Sequence, residues 1–269
     1  MKRRFLFLVL SLALLLSAKA QGISANAARV YFTLGPGGSG TQHIKVTNPS
    51  NRPLELGISV GDWNYDTVGN NKMYEAGTLK SSAAAWIKVL PASYLTLQPG
   101  AQQDLTVEMD VPGHVSDSLK VHTAMIYLTQ LNASDSKTAG GAALKVRVQM
   151  GIKIYHCFSD QNKPAMEITN FQDSLVTSKD SSTHRALCLQ LSNTGDLWVE
   201  GSIKWELLNE QNGKTQKLEE TKIYSLPGDK RLIVKDLPGD LPKGKYSITA
   251  IVNYGNKDDL KIAELEFLN

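Results

Sequence analysis

The sequence predicts an all-β protein built as two β-sandwiches in tandem, and three observations carry that expectation. Short segments rich in Val, Ile, Leu, Thr and aromatic side chains recur from Arg29 to the C-terminal end. Clusters of Gly, Pro, Asn and Asp divide them, and helical periodicity is nearly absent. The 269 residues are 42% apolar and 20% charged, a globular composition that excludes disorder, collagen and coiled coil. At roughly 100 to 200 residues per domain, that length holds about two domains, each able to bury its own core.

The chain starts outside the sandwiches. Lys2, Arg3 and Arg4 precede an unbroken apolar run from Phe5 to Leu16, and Ala18 and Ala20 flank the expected cut. A basic start, a short apolar stretch and small residues at a cleavage point make residues 1–20 a secretory signal peptide. Only 12 residues separate Arg4 from Ser17, against the roughly 20 a spanning helix needs. No cysteine follows the cut to carry a lipid anchor, and no later apolar run is long enough to cross a bilayer. An exported protein that does not span the membrane is therefore expected. Removing Lys2, Arg3, Arg4 and Lys19 takes the formal charge from +3 to −1, which leaves no basic surplus to attract nucleic acid.

In the first sandwich, residues 21–156, strands are expected at Arg29 to Leu34, Gln42 to Thr47, Leu54 to Trp63, Trp86 to Val89, Tyr94 to Leu97, Asp104 to Met109, Ala124 to Leu131 and Ala143 to Tyr155. Each alternates or is β-rich in composition, and turn signals such as GPGGSG, NPSNRP, QPG and VPG separate them. Asn64 to Ala85 is a long polar connection that suits either a loop or an extra edge strand. The second sandwich, residues 157–269, has about seven more: Ala165 to Asn170, Ala186 to Ser192, Val199 to Asn209, Lys217 to Tyr224, Lys230 to Val234, Lys245 to Asn253 and Leu260 to Phe267. The boundary is expected between Tyr155 and Lys163. Charges of +2 before it and −3 after it are too even to indicate a partner.

Several motifs imitate chemistry. Gly35-Pro36-Gly37-Gly38-Ser39-Gly40 matches G-x-G-x-x-G, but Thr41 to Val46 alternates as a strand where a phosphate would need the N-terminus of a helix. Gly57-Ile58-Ser59-Val60-Gly61 matches G-x-S-x-G without the strand-to-helix turn that exposes a nucleophile, so Ser59 reads as an outward strand residue. His43, His114, His122, His156 and His184 are scattered and no metal-ligand spacing occurs. No enzyme, cofactor or small-molecule substrate is expected. Cys157 and Cys188 could close a disulfide around a 32-residue loop or remain two buried thiols.

The segment ALKVRVQMGIKIY, Ala143 to Tyr155, carries the functional reading. Leu144, Val146, Val148, Met150, Ile152 and Ile154 share one face and Lys145, Arg147, Gln149, Gly151 and Lys153 the other. Such a strand either packs its apolar face into its own core or lends it to another protein's groove.

A resemblance separates these two. Arg29-Val30-Tyr31-Phe32, Ile44-Lys45-Val46-Thr47-Asn48, Trp63, Leu95-Thr96-Leu97-Gln98-Pro99-Gly100-Ala101 and Gly151-Ile152-Lys153-Ile154-Tyr155 resemble the first domain of the PapD-like periplasmic pilus chaperones. The resemblance covers the stretch from Arg29 to Tyr155 and implies that the sandwiches are immunoglobulin-like. It also implies that Arg29 and Lys153, 124 residues apart, meet in the cleft between domains and bind the C-terminal carboxylate of a pilus subunit. Leu144, Val146 and Val148 would be the donor residues that fill the groove left by the subunit's missing strand. The family's interdomain salt bridge does not carry over, since its acid appears here as His122 and its base as Cys157.

What the resemblance implies is a periplasmic, non-enzymatic chaperone that caps secreted pilus or surface-protein subunits by donor-strand complementation, with an outer-membrane usher as a further partner. The alternative is a secreted structural or adhesion module that contacts envelope or cell wall and keeps residues 144, 146 and 148 buried at home.

Overall fold

A computed structural model describes residues 22–91, 93–115, 118–132, 134–137, 143–177, 183–256 and 259–269, with the backbone alone for Ser134–Lys137, Ala143 and Leu144. The expected signal peptide, residues 1–20, lies outside the described residues. The first half contains β1 (Ser24–Ala25), β2 (Arg29–Thr33), β3 (Ser39–Thr47), β4 (Leu54–Tyr65), β5 (Asn71–Tyr74), β6 (Ile87–Leu90), β7 (Tyr94–Leu97), β8 (Gln102–Asp110), β9 (Val121–Gln130), β10 (Ser134–Lys137), β11 (Ala143–Val146) and β12 (Gln149–Cys157), with a 3₁₀ turn at Ala84–Trp86. One sheet runs β1-β3-β8-β6 and the other β2-β12-β9-β4-β5, with β7 also on β4. Alternate residues of facing strands fill the space between: Ile44 and Val46, Leu105 and Val107, Ile126 and Leu128, Ile152 and Ile154.

The second half contains β13 (Met166–Thr177), β14 (Thr183–Asn193), β15 (Val199–Asn209), β16 (Thr215–Ser225), β17 (Lys230–Asp236), β18 (Lys245–Asn253) and β19 (Lys261–Leu268). Sheets β13-β14-β17 and β16-β15-β18-β19 enclose a core of Leu187, Leu189, Ile203, Trp205 and Ile248. No described strand of one sandwich pairs with a strand of the other. The protein is all-β, two immunoglobulin-like sandwiches in tandem. Among the described residues no helix is long and apolar enough to cross a membrane.

The motifs that imitate chemistry are structural. Gly35 to Gly38 forms the turn between β2 and β3, closed by Gly38 N–H donating to Gly35 C=O at 2.9 Å. Ser59 sits exposed in the middle of β4. The long connection after Trp63 carries an edge strand, β5, reached through a turn in which Asp66 Oδ1 accepts from the N–H groups of Val68, Gly69 and Asn70.

Two expectations need correction. The strand expected at Ala143 to Tyr155 is broken at Arg147 and Val148, and the preceding loop contains β10, which pairs with β11 as a separate hairpin. The cause lies in β9. Gln130 N–H donates to Val148 C=O, but the next carbonyl on that side, Asn132 C=O, accepts from the Gln130 side-chain amide at 2.6 Å, so the β9 ladder with this ribbon ends at residue 148. The β13–β14 hairpin is also longer than expected, because the Arg185 guanidinium forks onto Asp173 across its polar end. Of the two states left open for the cysteines, the second holds: Cys157 and Cys188 are free, buried thiols. Cys157 ends β12 beside Thr33, whereas Cys188 lies mid-β14 between Gln172 and Val234, in the other sandwich.

Both sandwiches use a buried asparagine at a strand end to tie two turns together. Asn48 Nδ2 donates to Leu97 C=O at 2.9 Å and to Arg52 C=O at 2.8 Å, and its own carbonyl accepts from Gly100 N–H. Asn193 repeats the device with Leu197 C=O and Gly228 N–H. The resembling segments around Asn48 and Leu95 to Gly100 therefore meet for a structural reason. Asn48→Ala leaves buried carbonyls without donors, and is expected to lower stability by about 1–3 kcal/mol. In urea unfolding the midpoint should fall with an unchanged m-value; an unchanged midpoint contradicts this role.

Candidate functional site

The chain brings Arg29 to Lys153 by switching sheets. β1 pairs with β3 in one sheet, the chain crosses over at Asn26 to Ala28, and β2 joins the other sheet in parallel with β12. In that register Arg29 is opposite Lys153 and Tyr31 is opposite Tyr155, with Lys153 N–H donating to Ala28 C=O at 3.0 Å. The strand period of two sends Val30, Phe32 and Ile154 into the core and turns Arg29, Tyr31, Lys153 and Tyr155 toward the second sandwich. Tyr31 and Tyr155 stack at 5.3 Å, and both rings contact Trp198 of the second sandwich.

The two cations of this cleft are held differently. Arg29 Nε lies 3.0 Å from Glu200 Oε1, and its guanidinium sits 4.4 Å above the Tyr224 ring. Burial works against its charge, but Glu200 and the Tyr155 hydroxyl outweigh burial and hold the guanidinium above its ordinary pKa. Lys153 Nζ donates to Tyr65 Oη at 2.9 Å and lies 4.4 Å from the centroids of both Trp63 and Tyr65. Burial first, then the neighbouring Arg29 charge, pull its ammonium down to about 8 against the attraction of Glu200. Tyr65 and Tyr155 share a hydroxyl contact at 3.2 Å. Burial is the first cause that raises both phenols, so they stay neutral donors and acceptors between the two cations.

Directly beside this pair, β12 has an open edge. β2 covers it from Lys153 to Cys157, while Gln149 to Ile152 pair only with β9 among the described residues. Because Lys153 N–H points toward β2, the period of two aims the N–H groups of Gln149 and Gly151 the same way, past the end of β2. Of the expected donor residues, Val146 is 38% exposed, Val148 is half-buried against the first core, and Leu144 is placed by its backbone in β11, its side chain outside the described residues.

His122 and Cys157, where the resemblance would have placed a salt bridge, are both buried, with His122 packed against Trp86 and Phe158. Other contacts join the sandwiches. Arg231 of β17 donates to Asp66 C=O and lies 5.5 Å from the Tyr65 ring centroid, and Leu232 N–H donates to Thr67 C=O at 2.7 Å. Gly69 has φ +100°, and a Cβ there would collide with the Arg231 guanidinium. Sequence reasoning missed Glu200, Tyr65 and Arg231. Tyr31 and Tyr155 could have been found, because each lies two positions from a predicted cation on the same strand face.

Neither a protein-family model nor a curated protein matches the sequence. Among solved structures, a chain of the CsuC–CsuE chaperone–tip adhesion subunit pre-assembly complex from Acinetobacter baumannii Csu pili aligns with 90% of this chain and 97% of its own, at 13% identity and TM-score 0.47. A chain of the Salmonella enterica SafA pilin–SafB chaperone complex aligns with 93% of this chain and 99% of its own, at 16% identity and TM-score 0.44. The Pseudomonas aeruginosa CupB2 chaperone aligns with 90% and 98%, at 12% identity and TM-score 0.44. At these values the likeness carries no functional conclusion by itself.

The depressed lysine makes stability depend on pH. Between about 8 and the ordinary 10.5 the unfolded chain keeps a proton that folded Lys153 has released, so stability rises with pH. Urea midpoints measured from about pH 7.5 to about 9.5 should rise more with pH, or fall less, in the wild type than in Lys153→Met, the buried Cys188 thiol contributing the opposite slope to both. Equal slopes would contradict the assignment.

Proposed function

We propose that this protein is a periplasmic chaperone, exported by residues 1–20, that caps secreted pilus or surface-protein subunits until they assemble. The carrying observation is the conjunction of Arg29 and Lys153 in one register with the open edge of β12 immediately beyond them. An incoming chain whose terminal carboxylate lies between the two cations can continue along that edge as an added strand. Gln149 and Gly151 offer it backbone N–H groups, and Val146, with Leu144 and Val148, offers apolar side chains to its unfilled groove. Fold completion of the subunit supplies the binding free energy, so no nucleotide, cofactor or catalytic group is required. Covering a subunit's open groove and strand edge suppresses the aggregation that both invite.

The exposure of Val146 supports this reading over that of a structural module, which needs the apolar face of residues 144 to 148 buried at home. An outer-membrane usher would receive the capped subunit in the same scheme.

Co-expression with secreted subunits and affinity measurement tests the proposal. Arg29→Ala and Lys153→Ala each remove a charge-assisted partner and are expected to weaken capture roughly ten- to a hundredfold. Val146→Asp is expected to weaken capture while leaving the urea midpoint within error, since the side chain contributes little to its own core. Full capture by all three variants would overturn the proposal.

A further inference from the structure

We infer that Glu200 is a carboxylate that the second sandwich lends to Arg29 in the client-free protein, so that capture proceeds by exchange of one carboxylate for another. This rests on the carboxylate-anchor reading above and adds to it a built-in competitor that tunes its affinity. Glu200 already has the contacts of a bound ligand. Its Oε1 is 3.0 Å from Arg29 Nε, and both of its oxygens lie 2.8 Å from the Tyr31 hydroxyl, which donates to them. Tyr224 covers one face of the guanidinium at 4.4 Å, so a planar carboxylate must approach along its edge, and Glu200 occupies part of that edge. Both side chains remain about a third exposed, at 29% and 33%, so the pair is open to a competing anion from solvent.

Charge defines what competes. Arg29 and Lys153 supply two cations to this corner of the cleft and Glu200 one anion, while Lys153 rests on a phenol and two aromatic faces. A client carboxylate enters against the Lys153 ammonium and takes over Arg29 as Glu200 swings out to solvent. While Glu200 remains, it repels that carboxylate, and a chain end without charge gains nothing from displacing it. Glu200 therefore lowers the affinity for a true C-terminus without touching an uncharged strand end, which eases release of a captured chain. Since Glu200 belongs to β15, the exchange also releases one of the ties between the sandwiches.

The test uses the full chain and two labelled synthetic nonapeptides of identical alternating isoleucine–serine sequence, one with a free C-terminal carboxylate and one amidated, with binding read by fluorescence anisotropy. Glu200→Gln is expected to bind the carboxylate peptide at least about fivefold more tightly than the wild type and the amide unchanged. Tyr31→Phe, which removes the hydroxyl holding Glu200, should shift affinity in the same direction by less. If Glu200→Gln leaves carboxylate binding unchanged or weakens it, while Arg29→Ala abolishes the preference for carboxylate over amide, the exchange is overturned and the anchor stands, with Glu200 merely orienting Arg29. If wild type and Glu200→Gln alike make no distinction between the peptides, the anchor and the exchange both fall.

Discussion

The parallel pairing of β2 with β12 is the constraint on which the cleft depends. Parallel neighbours cannot be joined by a tight turn, so this pair needs distant parts of the chain to meet. Here strands β3 to β11 of the first sandwich lie between Arg29 and Lys153, and its closure brings them into register. The same pairing is short. It begins at Arg29 and so leaves the earlier part of β12 without a neighbour on that side. The charged anchor and the open edge are thus two consequences of where β2 starts.

An open strand edge is ordinarily a hazard that proteins blunt. This chain blunts it partly: β11 is drawn off into a hairpin with β10, and Lys145, Arg147 and Gln149 place polar side chains along the ribbon. The cleft itself is stabilised from the opposite side. Trp63, Tyr65, Tyr155 and Leu226 form an apolar seam with Trp198 and Tyr224 between the sandwiches, and Arg231 pins the turn at Asp66 to β17. That seam lowers the local dielectric around Lys153 and Arg29, which strengthens any ion pair formed there.

Strand existence was legible in the sequence wherever one face is buried, because alternation at Ile44 to Val46, Leu105 to Met109 or Ile248 to Val252 can only be satisfied in a sheet. Boundaries failed where partner strands decide them: β13 runs on through polar Gln172 and Asp173 because Arg185 answers across the hairpin, and Ala143 to Tyr155 breaks because the carbonyl that would extend the β9 ladder, at Asn132, is taken by the Gln130 side chain. Within the site, Arg29 and Lys153 were legible through resemblance alone, while Tyr31 and Tyr155, which period two puts on the same face, were not singled out. Glu200 had no local signature. It is one acid among many on a β-rich strand, and only the packing of one sandwich on the other gives it a partner. The two cysteines show the same limit, since spacing says nothing about which sandwich each strand enters.

The central claim is that a partner strand adds to β12 just beyond Lys153. The most direct measurement is residue-resolved amide hydrogen exchange of the chain alone and in complex with a co-expressed secreted subunit. The account predicts that Gln149 and Gly151, whose N–H groups face the open edge, exchange rapidly when free and become strongly protected in the complex, while Met150 and Ile152, already bonded to β9, change little. A stable complex in which Gln149 and Gly151 exchange as fast as before would contradict it.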